Sequence, residues 1–135
     1  KGSNVETGVY LSFRNKDLVM LEDEFGKLTN NLNISTDDGS YKNKGFAIEF
    51  LKQDMEKENY ECIYACGPTP MLRAVKNYAL ENNINCQVSL EEKMACGLGV
   101  CLGCAVKTSA SPKEAPEYFH VCKAGPVFNA KDVEF

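Results

Sequence analysis

The sequence predicts an α/β fold, a partial parallel sheet with helical crossovers followed by a small cysteine-rich domain. Three observations carry this. Strand-type and helix-type patterns alternate from residue 8 to residue 90, the signature of a parallel sheet covered by helices. The alternation stops near Glu91. Beyond that point lie four of the seven cysteines, three of them packed with glycines into "CGLGVCLGC".

The elements follow in order. "GVYLSF", 8 to 13, is a β-type run. Asp17 can cap a helix whose apolar positions, Leu18, Leu21, Phe25 and Leu28, recur at helical spacing. "NLNIST", 31 to 36, reads as a short strand, and "DDGSYKNKG" after it as a turn-rich loop. A helix is expected from about Phe46 to Lys57, with Ala47, Ile48, Leu51 and Met55 on one face. "ECIYAC", 61 to 66, is a short apolar strand expected to be buried on both faces. Thr69 can cap the next helix with Pro70 at its first position, and Met71, Leu72, Val75, Tyr78 and Ala79 form its apolar stripe. That helix should end at Asn82–Asn83, before the strand "INCQVSL", 84 to 90. In the tail only "CAVKT" and "PVFNA" have strand character. The expected division is therefore 1–90 for the α/β domain and 91–135 for the cysteine-rich one. A tail of that size has too little core to fold alone and calls for a metal or disulfides.

Bulk properties exclude several classes of function. The 135 residues carry 15 basic and 19 acidic side chains, net −4, with no Lys/Arg-rich run, so nucleic acid is not an expected partner. No apolar run approaches the roughly 20 residues of a membrane span, so no membrane association is expected. The first twenty residues carry charges and no apolar core of a signal peptide. Seven cysteines are an odd number, which in a reducing compartment reads as metal ligands plus buried thiols. Together these predict a cytoplasmic protein.

Cys96, Cys101, Cys104 and Cys122 form C-x4-C-x2-C-x17-C. The first three have the plant-type [2Fe–2S] spacing, completed by a distant fourth cysteine. Zinc sites more often use paired C-x2-C units, of which there is one here, and a structural zinc site stays as the alternative. Gly97, Gly99 and Gly103 would let the loop take positive φ and bring backbone N–H groups to the sulfurs. Leu98, Val100 and Leu102, between the cysteines, have too few neighbours in a small tail to be fully buried, and are candidates either for a contact patch or for a cover over the metal. Cys62 and Cys86 fall in predicted strands and read as core residues, and His120, beside a complete set of four cysteines, is not assigned as a ligand.

A second motif, "YACGPTPML" at 64 to 72, ends a strand in Cys66-Gly67-Pro68 and opens a helix. A glycine there lets a planar ring approach the backbone, and the helix N-terminus favours an anion. The same string also fits a simple tight turn. "STDDGSY" and "CGPTPM" both sit at the carboxyl ends of predicted strands, where ligands of parallel sheets bind. No G-x-G-x-x-G phosphate turn of a dinucleotide site is present.

"SLEEKMACGLGVCLGC" with "HVCKAGPVFNAKDVEF" resembles the electron-transfer subunits of class 1B dihydroorotate dehydrogenases, and "CGPTPM" resembles the nicotinamide-side motif of the ferredoxin–NADP reductase superfamily that contains them. "LSFRNKD" and "STDDGSYKNKGF" are similar to NAD-domain segments of the same family, so the resemblance covers essentially the whole chain. It implies that 1–90 is a partial NAD-binding-type domain without its first strand and Gly-rich turn, and that the chain is the carboxyl-terminal half of a longer subunit. It implies that Cys96, Cys101, Cys104 and Cys122 hold a [2Fe–2S] cluster. Cys66, Gly67 and Pro68 would border the nicotinamide–flavin contact, with Arg14, Asp37 and Asp38 toward the nucleotide. The implied function is electron transfer, in pyrimidine biosynthesis, between the FMN of a dihydroorotate dehydrogenase catalytic subunit and FAD/NAD+. No catalytic acid–base residue is expected, because C–H chemistry would occur in the partner. FAD would need the missing N-terminal flavin-binding barrel, so this chain alone is expected to bind FAD poorly and to lack NADH oxidation. Similar loops serve sulfite reductases and hydrogenases, which are alternative partners, and a zinc-stabilised binding module is the alternative of another class.

Overall fold

A computed structural model describes residues 5–112 and 114–135, and the chain forms two compact units that divide between Asn59 and Tyr60. In the first unit, β1 (Gly8–Phe13) and β2 (Asn31–Thr36) pair in parallel over their full length, Gly8 opposite Asn31 and Phe13 opposite Thr36. A two-residue strand, β3 (Asn43–Lys44), extends the sheet from the loop after β2. The helix that packs on β1 and β2 spans Ala47–Met55 and buries Leu51. Tyr10 Oη donates to Asp54 Oδ2 at 2.8 Å, tying strand to helix.

The continuous helix expected from Asp17 does not form. Asn15 caps a single 3-10 turn, Lys16–Leu18, by accepting from Asp17 N at 3.1 Å. Val19 is extended, Leu21 is left-handed at φ 61, and only Glu22–Gly26 is helical. This short helix is α1, which makes Ala47–Met55 α2. Leu18, Leu21 and Leu28 are exposed, so the apolar spacing has no surface to bury against and cannot stabilise a longer helix.

In the second unit, β4 (Cys62–Cys66) and β5 (Asn85–Ser89) form a parallel pair, Ile63 opposite Cys86, joined by α3 (Thr69–Glu81). Leu72, Val75 and Ala79 of α3 are buried, three of the five positions of the predicted stripe. The helix starts one residue earlier than expected: Pro68 is its N-cap, with no side-chain capping bond, and Thr69 is already helical. Asn82 closes it and Asn83 turns the chain at φ 55, as "ENNIN" leads one to expect. The expectation that 61 to 66 is buried on both faces fails, because Tyr64 is 74% exposed. β4 is the edge strand of its sheet, in the order β4-β5-β8, where β8 is Val127–Asn129.

β8 pairs antiparallel with β5, Val88 opposite Phe128, so the tail completes the sheet of the preceding α/β segment. The tail also builds a small antiparallel sheet of its own. β6 (Ala105–Thr108) lies between β7 (Tyr118–His120) and β9 (Val133–Glu134). A single turn of helix, α4 (Val121–Ala124), follows β7. Val88, Val106, Val121, Phe128 and Val133 form the core there, with Phe119 and Phe128 stacked at 5.5 Å. Among the described residues no helix is long and apolar enough to cross a membrane.

Candidate functional site

The cysteine loop, Met94 to Cys104, has no regular structure and depends on what flanks it. β6 begins at Ala105, directly after Cys104, and pairs with β7 so that Ala105 stands opposite His120. Val121 N donates to Cys104 O at 3.0 Å. This register sets Cys104 beside Cys122, and His120 occupies a strand position. Cys104 is buried, and Cys96, Cys101 and Cys122 are partly exposed.

The thiols act on one another electrostatically in two pairs, Cys96 with Cys101 and Cys104 with Cys122, and a charge on Cys96 is felt at Cys122. Among the described residues no three His, Cys, Asp or Glu side chains converge on a single metal position. Leu98 N donates to Cys96 Sγ at 3.3 Å and Gly103 N to Cys101 Sγ at 3.5 Å. Backbone N–H groups of Leu98, Cys101 and Val100 lower the Cys96 thiol to about 6, which favours the thiolate that ligates metals. Cys122 is raised, chiefly by its bond with Cys104 and against the opposing N–H of Gly99. Gly97 and Gly99 take positive φ, 67 and 77, whereas Gly103 does not. A Cβ on Gly103 would instead lie 3.3 Å from Ala95 Cβ and 3.5 Å from Cys101 Sγ, so its role is space.

Leu98, Val100 and Leu102 are 75%, 81% and 77% exposed, so they do not roof the thiols. Cys86 is buried at 4% and its thiol is pushed up to about 11, mainly by burial, in keeping with a core residue. Cys62 is only partly buried.

Cys66, Gly67 and Pro68 stand at the carboxyl end of β4. Gly67 has φ +155, a backbone conformation in which any other residue is strained, and a Cβ there would press on the Met71 methyl at 2.7 Å. A cavity of about 300 Å³ opens beside it, lined by Gly67, Pro68, Thr69, Leu90, Glu91 and Phe135 among others. The glutamate and the phenylalanine were not singled out in the sequence. Their signal is positional, since "SLEE" follows a strand that ends next to β4.

Arg14, Asp37 and Asp38 lie together in the first unit at the carboxyl ends of β1 and β2. Asp37 N donates to Phe13 O at 3.0 Å and Asp38 N to Arg14 O at 3.4 Å. All three side chains are exposed. The Ser40 hydroxyl and backbone N–H hold the Asp38 carboxyl below its usual range. A larger hollow of about 610 Å³ among Glu22, Lys27, Asn30 and Lys42 contains none of the predicted site residues.

Residues 91–134 match the family model of the iron-sulfur cluster binding domain of dihydroorotate dehydrogenase B. The chain is 40% identical over 132 residues to the dihydroorotate dehydrogenase B (NAD(+)) electron transfer subunit of Fusobacterium nucleatum, covering 96% of this chain and 48% of that protein. It is 38% identical over 131 residues to the probable equivalent of Methanocaldococcus jannaschii, covering 97% and 48%. A solved structure of an NADH-dependent reduced ferredoxin-NADP oxidoreductase, described for flavin-based electron bifurcation, superposes with a TM-score of 0.74 at 28% identity, over 92% of this chain and 42% of that one. The chain spans about half the length of these curated relatives. Motif, fold and comparison agree in what this chain is similar to: residues 91–134 match the iron-sulfur cluster binding domain of dihydroorotate dehydrogenase B, and nearly the whole chain resembles about half the length of its electron transfer subunits.

Proposed function

We propose that this chain is part of a cytoplasmic electron-transfer subunit that links the FMN of a dihydroorotate-oxidising catalytic subunit to FAD and NAD+, in pyrimidine biosynthesis. The observation that carries the reading is the C-x4-C-x2-C-x17-C set of Cys96, Cys101, Cys104 and Cys122, inside the segment that matches the iron–sulfur domain. The four cysteines would suit a [2Fe–2S] cluster better than a single tetrahedral zinc, since among the described residues no three of them converge on one metal position. Such a cluster supplies one-electron transfer between centres that exchange electrons in pairs.

The chain's own residues do the rest. The N–H groups of Leu98 and Gly103 bind the sulfurs of Cys96 and Cys101, orient them and stabilise negative charge on them. Burial of Cys104 keeps water from that side. In the second motif Gly67 leaves the backbone open, Cys66 and Pro68 border the nicotinamide–flavin contact, and the adjoining cavity is the space a ring would enter. Arg14, Asp37 and Asp38 lie on the nucleotide side. Residues 1–90 serve as the nucleotide-binding part and 91–135 as the cluster-binding part. No residue here acts as a catalytic acid or base.

Leu98, Val100 and Leu102 provide an exposed apolar surface at the cysteine loop, which suits contact with the catalytic subunit. Replacing Leu98 and Leu102 by Ser in the full-length subunit should lower dihydroorotate-dependent NAD+ reduction while leaving NADH oxidation by an artificial acceptor intact. Unchanged activities with an intact complex would show that the loop is not the docking surface.

A further inference from the structure

We propose that Lys123 tunes the metal centre: its stem lies along Gly99 of the cysteine loop, and its charge raises the reduction potential. The geometry is that of a side chain laid across a glycine. A Cβ built on Gly99 would fall 3.1 Å from Lys123 Cδ, 3.6 Å from its Cβ and 3.9 Å from its Cγ, so the lysine stem occupies the side of Gly99 that any other residue would fill. Lys123 is also the neighbour of Cys122 in the chain. Among the described residues Lys123 pairs with no carboxylate, the two ion pairs being Lys42–Glu22 and Lys107–Glu134, so its charge is not cancelled locally.

The inference rests on the reading of the four cysteines as cluster ligands. Reduction of a [2Fe–2S] cluster adds one electron from an external donor, makes and breaks no bond, and leaves the centre one charge more negative. A cation beside the loop stabilises that reduced state more than the oxidised one, and net charge is one of the terms that set such potentials. An exposed cation is partly screened, which bounds the effect to a few-fold.

The test is a redox titration of the full-length subunit, followed by the electron paramagnetic resonance of the reduced cluster. Three proteins are compared: wild type, Lys123→Met, which keeps most of the stem and removes the charge, and Lys123→Arg, which keeps the charge. At the wild-type midpoint, the ratio of reduced to oxidised cluster should fall about threefold in Lys123→Met. It should stay near wild type in Lys123→Arg, and the difference should shrink as salt is raised. A Lys123→Met midpoint equal to wild type overturns the proposal, as does an equal shift in Lys123→Arg, which would assign the effect to packing. Failure of the wild-type protein to assemble any cluster removes the ligand reading itself, an outcome distinct from a cluster whose potential ignores Lys123.

Discussion

Two thiols show how strongly local structure divides one residue type. Cys86 lies inside the β4–β5 layer, where burial favours its neutral form and pushes it up to about 11. Cys96 accepts several backbone N–H groups and is lowered to about 6. In metal-free protein at pH 7, iodoacetamide should therefore modify Cys96 well before Cys86, and the Cys96 rate should fall as the pH drops below 6, as mass spectrometry of the labelled peptides would show. Cys86 also sets a sign for stability. Its folded value lies above that of the free thiol, so its contribution is complete below about pH 9 and is lost as the pH rises toward 11. Urea midpoints should decline over that window more steeply in wild type than in Cys86→Ala. Gly99 is the other informative residue. At φ +77 with Lys123 against it, Gly99→Ala should cost about 1–2 kcal/mol from the left-handed backbone alone and lower the yield of assembled cluster.

At the scale of elements, legibility followed burial. β2 and α3 were readable because their apolar positions meet a real core: Ile34, Leu72, Val75 and Ala79 are all buried. Leu72→Ala, at 2% exposure, should lower unfolding stability by about 2–4 kcal/mol, while Leu80→Ala on the exposed face of the same helix should stay within about 0.5. The segment from Asp17 to Leu28 misled because spacing reports only that a helix would be amphipathic. With Leu18, Leu21 and Leu28 all exposed, nothing repays a continuous helix, and the chain takes a 3-10 turn and one short helix instead. In the tail, β7 and β9 have three and two residues, too few for alternation to show, and their pairing with β6 is set by contacts far along the chain. The recruitment of β8 by β5 was equally hidden, because "PVFNA" does not encode its partner.

That recruitment changes what metal removal should do to the molecule. Residues from 91 onward are a separate functional segment by motif, yet Phe128 and Val133 are buried and β8 is hydrogen-bonded to β5. Replacing Cys101 by Ser should therefore loosen the irregular loop from about 94 to 104 without unfolding the tail. Amide hydrogen exchange should quicken in that loop and stay slow in β5 and β8. The four cysteines proposed as ligands were singled out by spacing alone, whereas the donors at the Cys96 and Cys101 sulfurs and the lysine along Gly99 emerged only from the fold. Iron, zinc and acid-labile sulfide analysis of the anaerobically purified chain tests the central claim most directly. The account predicts iron and sulfide in equal amounts, about two of each per chain, with visible absorption; stoichiometric zinc with no labile sulfide would contradict it.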